Sequence, residues 1–157
     1  MKTFVKNTKR LRRQLLLGLS LTGLSSILLS AGPKPNPMGG WNADKVMDNY
    51  VKTVSEGKTQ WVEHLFTNDV EYQTDGRNES HGKKEILKFL KAMTGNRYDC
   101  VAQYRVLDED ATACIAKMTM QFETFTRTDY IYLSATNDGW KIRKILVGRG
   151  QKNGALG

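Results

Sequence analysis

The side chains able to do chemistry in this chain are few, and the most suggestive stand close together. Arg127 and Asp129 lie two apart in the run Phe125-Thr126-Arg127-Thr128-Asp129-Tyr130-Ile131-Tyr132-Leu133. On an extended strand, residues two apart share a face. If the preceding strand turns back at Glu123-Thr124, then Phe125, Arg127, Asp129, Ile131 and Leu133 fall on the apolar face. Arg127 and Asp129 then form either a polar pair inside a pocket or a solvated pair at a sheet edge, and the spacing leaves both open. Of the two histidines, His64 precedes Leu65-Phe66 and reads as a helix-surface residue. His81, just ahead of a helix, either satisfies a loop carbonyl or serves as acid or base at a pocket mouth. No third ligand stands at a recognisable metal spacing, so neither a metal nor another cofactor is expected. Cys100 and Cys114 are the only cysteines. A hairpin turning at Asp108-Glu109 sets Cys114 against Gln103 and Cys100 against Lys117. A disulfide would need a register shift of about three residues to bring the two Cα atoms within bonding range; otherwise both are buried free thiols.

Three helical patterns precede a run of strands. Asn42 is a good N-cap, and Ala43, Val46, Met47, Tyr50, Val51 and Val54 follow as one apolar stripe, ended by Gly57. Thr59 opens a second, short helix presenting Trp61, Val62, Leu65 and Phe66. Val70–Thr74 reads as a strand and Asp75–Asn78 as a turn. A third helix, from about Lys83 to Met93, puts Ile86, Phe89, Leu90 and Met93 on one face. From Arg97 the hydrophobic period changes to two. Strands are expected over 98–107, 111–123, 125–135 and 140–148, with turns at Asp108–Asp110 and Asn137–Gly139. Helices first and an antiparallel meander after make an α+β domain with the helices on one sheet face.

The 157 residues carry a formal charge of +8, which invites a nucleic-acid reading. Position removes it. Seven of the 24 basic side chains and none of the 16 acidic ones fall in residues 1–37, so the remaining 17 against 16 leave the domain near +1. A near-neutral domain has no counterion release to drive binding to DNA or RNA.

The basic residues belong to a leader. A charged stretch to Arg13, the apolar run Leu15–Leu29, and small residues Ser30, Ala31 and Gly32 have the three-part layout of a secretory signal peptide. The run would span roughly 22 Å as a helix, short for a hydrocarbon core of ~30 Å, so cleavage is expected rather than a stable membrane anchor. Arg12-Arg13 also fits a twin-arginine pattern, second to general secretory export. The expected organisation is a signal peptide over 1–31, a linker over 32–41, a domain over 42–149 and a loose tail over 150–157, with the mature domain periplasmic or secreted.

The order of elements and several strings resemble the nuclear transport factor 2-like superfamily, which includes ketosteroid isomerases, SnoaL-type polyketide cyclases and lumazine-binding-like secreted proteins. The strings are Tyr50-Val51, Glu56-Gly57-Lys58, His64-Leu65-Phe66-Thr67-Asn68-Asp69-Val70 and His81-Gly82-Lys83-Lys84-Glu85-Ile86. Thr128-Asp129-Tyr130 to Leu133 and Asp138-Gly139-Trp140-Lys141-Ile142 resemble the closing hairpin of the lumazine-binding-like group. The resemblance covers about 42–148. It implies a cone, in which three N-terminal helices pack on a curved antiparallel sheet and leave a pocket at the open end.

Against the isomerase pattern of a tyrosine donor, a neutral acid and a carboxylate base, Tyr50 matches the tyrosine. The base falls on Thr74, which cannot serve, and the second acid falls on Ile131, two residues beyond Asp129. Tyr50 alternatively reads as a core-edge aromatic whose hydroxyl finds a backbone carbonyl. Within the implied cone, Tyr50, Trp61, Tyr72, Phe89, Met118, Met120, Arg127 and Asp129 are the expected pocket residues. Tyr50, Asp129 and His81 are the candidates for catalysis.

The residues thus point first to an exported binder of a small apolar or aromatic ligand without a complete known catalytic set. An isomerase, cyclase or dehydratase built on Tyr50 with Asp129 or His81 is the second reading. The third is a homodimer through the alternating face of Thr126, Thr128, Tyr130, Tyr132 and Ser134.

Overall fold

The computed structural model describes residues 37–74 and 80–151. The leader, the first half of the linker, the turn expected at Asp75–Asn78 and most of the tail lie outside the described residues.

Helix α1, Ala43–Glu56, starts where Asn42 accepts a hydrogen bond from the Lys45 amide at 3.0 Å, which satisfies one of the free N–H groups of the first turn. It stops at Gly57, whose φ of 65° is the left-handed conformation that glycine adopts cheaply. Its buried stripe of Val46, Met47, Tyr50 and Val54 faces the core. Helix α2, Lys83–Ala92, buries Ile86 and Leu90.

Two helices are found, not three. Thr59–His64 forms successive turns, with Val62 N–H on Thr59 O and His64 N–H on Trp61 O. The eight residues from Thr59 to Phe66 give little return on the cost of nucleating a helix. Here the Thr59 hydroxyl bonds the Thr94 hydroxyl at 2.8 Å rather than capping its own segment. Leu65 O accepts from Ile142 N–H at 2.8 Å, which commits the backbone to the sheet.

The strands are β1 (Phe66–Thr74), β2 (Ser80–His81), β3 (Val101–Glu109), β4 (Ala113–Gln121), β5 (Phe125–Thr136) and β6 (Gly139–Gln151). They form one six-stranded sheet in the order β2-β1-β6-β5-β4-β3. The sheet is mixed rather than antiparallel, because β1 runs parallel to β6 while the other pairs are antiparallel. Short hairpin turns announce antiparallel neighbours, but a parallel pair far apart in sequence has no local signal. Register shifts within β1–β6, β3–β4 and β5–β6 curve the sheet.

The β4–β5 register follows the turn at Glu123-Thr124, with Met120 opposite Arg127 and Met118 opposite Asp129. The β3–β4 register differs from expectation. Asp110 Oδ1 accepts from the Thr112 and Ala113 amides at 2.6 and 2.8 Å, so the chain turns beyond Asp110 and not at Asp108-Glu109. Cys114 consequently sits opposite Glu109, and both cysteines are free thiols, Cys114 buried and Cys100 half-buried.

Helix α1 packs on β3, β4 and β6, and α2 on β1 and β2. Beneath them lies a core of Val46, Met47, Phe66, Met118, Met120, Ile131, Leu133 and Ile142. No helix among the described residues is long and apolar enough to cross a membrane.

Candidate functional site

A cavity of about 850 Å³ opens between α2, β1, the far ends of β5 and β6, and the inner face of α1. Helix α2 contributes Glu85, Ile86, Phe89 and Leu90, neighbours one helical turn apart on one face. Strand β6 contributes Ile145, Val147 and Arg149, alternate residues that point the same way. Tyr72 and Thr74 come from β1, His81 from β2, Tyr50 and Val54 from α1, and Tyr98 from the segment before β3. Arg127 completes the wall from β5.

The polar groups converge on Asp129. Its side chain is 0% exposed, so a carboxylate there must be compensated. Arg127 does this with Nε on Oδ1 at 2.8 Å and Nη2 on Oδ2 at 2.7 Å. The Tyr50 hydroxyl donates to Oδ2 at 3.2 Å, and the Tyr72 hydroxyl stands 3.5 Å from Arg127 Nη2. Burial, followed by the negative charge of Asp129, raises the Tyr50 phenol well above its ordinary range. Burial also raises Tyr72. Burial works to lower Arg127, but the hydrogen bonds to Asp129 outweigh it and hold the guanidinium charged.

The arrangement resolves two alternatives. Arg127 and Asp129 are not a solvated edge pair, for their side chains are 14% and 0% exposed. Tyr50 bonds a carboxylate, not a backbone carbonyl. Its proton is thereby engaged, and Asp129 accepts from three donors, so the pair as it stands offers no free acid to a substrate oxygen.

Tyr50, Tyr72, His81, Phe89 and Arg127 line the cavity, with Asp129 directly behind them. Three expected pocket residues lie elsewhere. Met118 and Met120 are fully buried, because α1 packs over the β4 side of the sheet. Trp61 packs edge-on against Trp41, with ring centroids 5.5 Å apart, in the turn that replaces the missing helix. The sequence reading missed Arg149, Glu85 and Tyr98. Arg149 continues the Ile145, Val147 alternation and would have been found had β6 not been ended at Gly148. Among the described residues, no three His, Cys, Asp or Glu side chains gather as a metal site would require.

Comparisons place this geometry among known proteins. Residues 42–144 match the family described as "Putative lumazine-binding". A comparison with curated proteins returns no match. Among solved structures, the chain is similar to a nuclear transport factor 2-like protein of unknown function from Silicibacter pomeroyi, at 10% identity and a TM-score of 0.57 over 68% of this chain and 92% of that one. A second such protein, from Shewanella baltica, gives 14% identity and a TM-score of 0.56 over 68% and 90%. A ketosteroid isomerase-like protein from Erwinia carotovora atroseptica gives 13% and 0.55 over 68% and 92%. At such identities these likenesses speak for the fold alone. The fold is thus nuclear transport factor 2-like, and the family match, which spans most of the chain, settles membership: the chain belongs to the family described as "Putative lumazine-binding".

Proposed function

We propose that this protein binds a small, largely apolar or aromatic molecule in the cavity beneath α2. The observation that carries this is the make-up of the walls: Val54, Ile86, Leu90, Ile145 and Val147 supply apolar surface, and Tyr72 and Arg127 bring polar groups to one side. Small-molecule sites have this form, and the cavity falls within their usual span of about 300–1,000 Å³. The family's description makes a lumazine, a flat bicyclic heteroaromatic, the first named compound to titrate. The basic leader and its apolar run support action outside the cytoplasm.

Native mass spectrometry of the protein purified from its own host tests the reading. A stoichiometric mass excess that vanishes on unfolding supports it and identifies the ligand class. The bare chain mass from host-purified protein, together with no change in lumazine fluorescence on titration, counts against it.

Self-association is a second reading, favoured by Tyr130, which is 39% exposed on the β5 face turned away from the core. A Tyr130→Lys variant should then shift the mass in solution from dimer to monomer. A wild-type protein that is monomeric throughout removes this reading.

A further inference from the structure

The β6 wall of the cavity runs from a charged residue to apolar ones, and the sheet register fixes the order. Arg127 lies directly opposite Arg149 across β5–β6, Asp129 opposite Val147, and Ile131 opposite Ile145. Along β6, therefore, the wall passes from Arg149 to Val147 to Ile145 in steps of two residues. Like charges placed directly opposite on neighbouring strands repel, and Asp129 is bonded to only one of these two arginines. Arg149 has no ion pair among the described residues; its guanidinium lies 5.7 Å from the Phe125 ring centroid. Arg127 spends Nε and Nη2 on Asp129 and Tyr72, which leaves Nη1 without a partner among the described residues. Among the described residues, Glu85 is the one acidic side chain lining the cavity; it is exposed and makes no ion pair with them.

Resting on the binding function proposed above, we infer that the ligand is an amphiphilic carboxylate, its anion between Arg127 and Arg149 and its apolar body along Val147, Ile145 and Leu90. A guanidinium fork matches the planar carboxylate. Asp129 already neutralises Arg127, so Arg149 is the one cation left to balance at this end of the wall, and a single negative charge does so better than a doubly charged phosphate. The Tyr72 hydroxyl stands beside the Arg127 fork to donate a further hydrogen bond.

Calorimetric titration of the full chain with 2-naphthoate and with its neutral counterpart 2-naphthamide tests this. Naphthoate should bind about tenfold or more tightly than the amide at low salt, the scale of one charge-assisted hydrogen bond. Arg149→Gln, at an exposed position, should lower naphthoate affinity about three- to tenfold and amide affinity by distinctly less, because only the acid loses a charge partner. Glu85→Gln should raise naphthoate affinity, by roughly twofold, because it removes a like charge from the cavity. Equal binding of acid and amide overturns the carboxylate assignment while the cavity function stands. A naphthoate preference untouched by Arg149→Gln overturns the role given to the arginine pair. If neither compound binds, the assignment falls together with the cavity function.

Discussion

Arg127 grips Asp129, two positions along the same strand, through both carboxylate oxygens, and the Tyr50 hydroxyl reaches the same carboxylate from α1. The contact ties the sheet to the helix that packs over it. It also leaves the carboxylate dependent on its partners, since a buried ion that loses its counter-ion keeps the whole penalty of desolvation.

Arg127→Met should therefore destabilise the fold by about 3–5 kcal/mol, because it leaves Asp129 alone in the interior. The double variant Arg127→Met/Asp129→Leu should recover most of that loss, since neither charge then needs a partner. Urea unfolding of the two variants checks this. A single variant as stable as the parent would mean that the ion pair contributes nothing.

Tyr50→Phe keeps the ring that meets Phe66 edge-on at 6.3 Å and removes only the hydroxyl. At neutral pH the cost should be about 1.5 kcal/mol, the low end for a hydrogen bond to a charged group. The more telling effect is alkaline. Burial and Asp129 hold the folded phenol above its unfolded value, so between the two values the folded state binds more protons than the unfolded one. Stability is fully present below about pH 10, the ordinary tyrosine value, and falls as pH rises beyond it. The decline should be shallower in Tyr50→Phe, with Tyr72, also raised by burial, carrying part of what remains. Parallel declines in parent and variant would show that Tyr50 is not the group responsible.

How much of this site could be read in advance varies by element. The face shared by Arg127, Asp129, Ile131 and Leu133 was legible because strict alternation and a turn at Glu123-Thr124 fix register together. Whether that pair was buried was not, since burial depends on α1 supplying Tyr50 from 79 residues away. The parallel pairing of β1 with β6 leaves no local trace, nor does Leu65 O bonding Ile142 N–H, which takes the place of a helix. The β3–β4 turn was misplaced because a single carboxylate, Asp110, decides it over two equally acidic neighbours.

Gly57 and Gly95 both have positive φ, at 65° and 78°, yet they should respond differently to alanine. A Cβ on Gly57 would lie 2.5 Å from Met93 O and 2.7 Å from both Asn96 N and Asn96 O, all backbone atoms that cannot swing aside. A Cβ on Gly95 meets nothing within 4 Å. Gly95→Ala should cost about 1–2 kcal/mol, the left-handed penalty alone. Gly57→Ala should exceed it by about 2 kcal/mol or more, through overlap where α1 meets the segment leading into β3. Chemical denaturation of the two variants decides the matter, and equal losses would refute the close approach at Gly57.

Met118 and Phe89 separate residues that hold the fold from residues that line the cavity. Met118 is fully buried opposite Asp129, so Met118→Ala should cost about 2–5 kcal/mol through lost burial and the cavity left behind. It should change ligand affinity little under conditions where the variant is folded. Phe89 lines the cavity while 49% exposed. Truncating it removes little buried area, so Phe89→Ala should cost under about 1 kcal/mol of stability. Its ring is nonetheless apolar wall for any aromatic guest, and its loss should weaken binding of 2-naphthoate about three- to tenfold. Thermal melts and titrations on both variants should thus give opposite patterns. The reverse pattern, with Phe89→Ala unstable and Met118→Ala defective in binding, would place the ligand on the α1 side of the sheet instead of beneath α2.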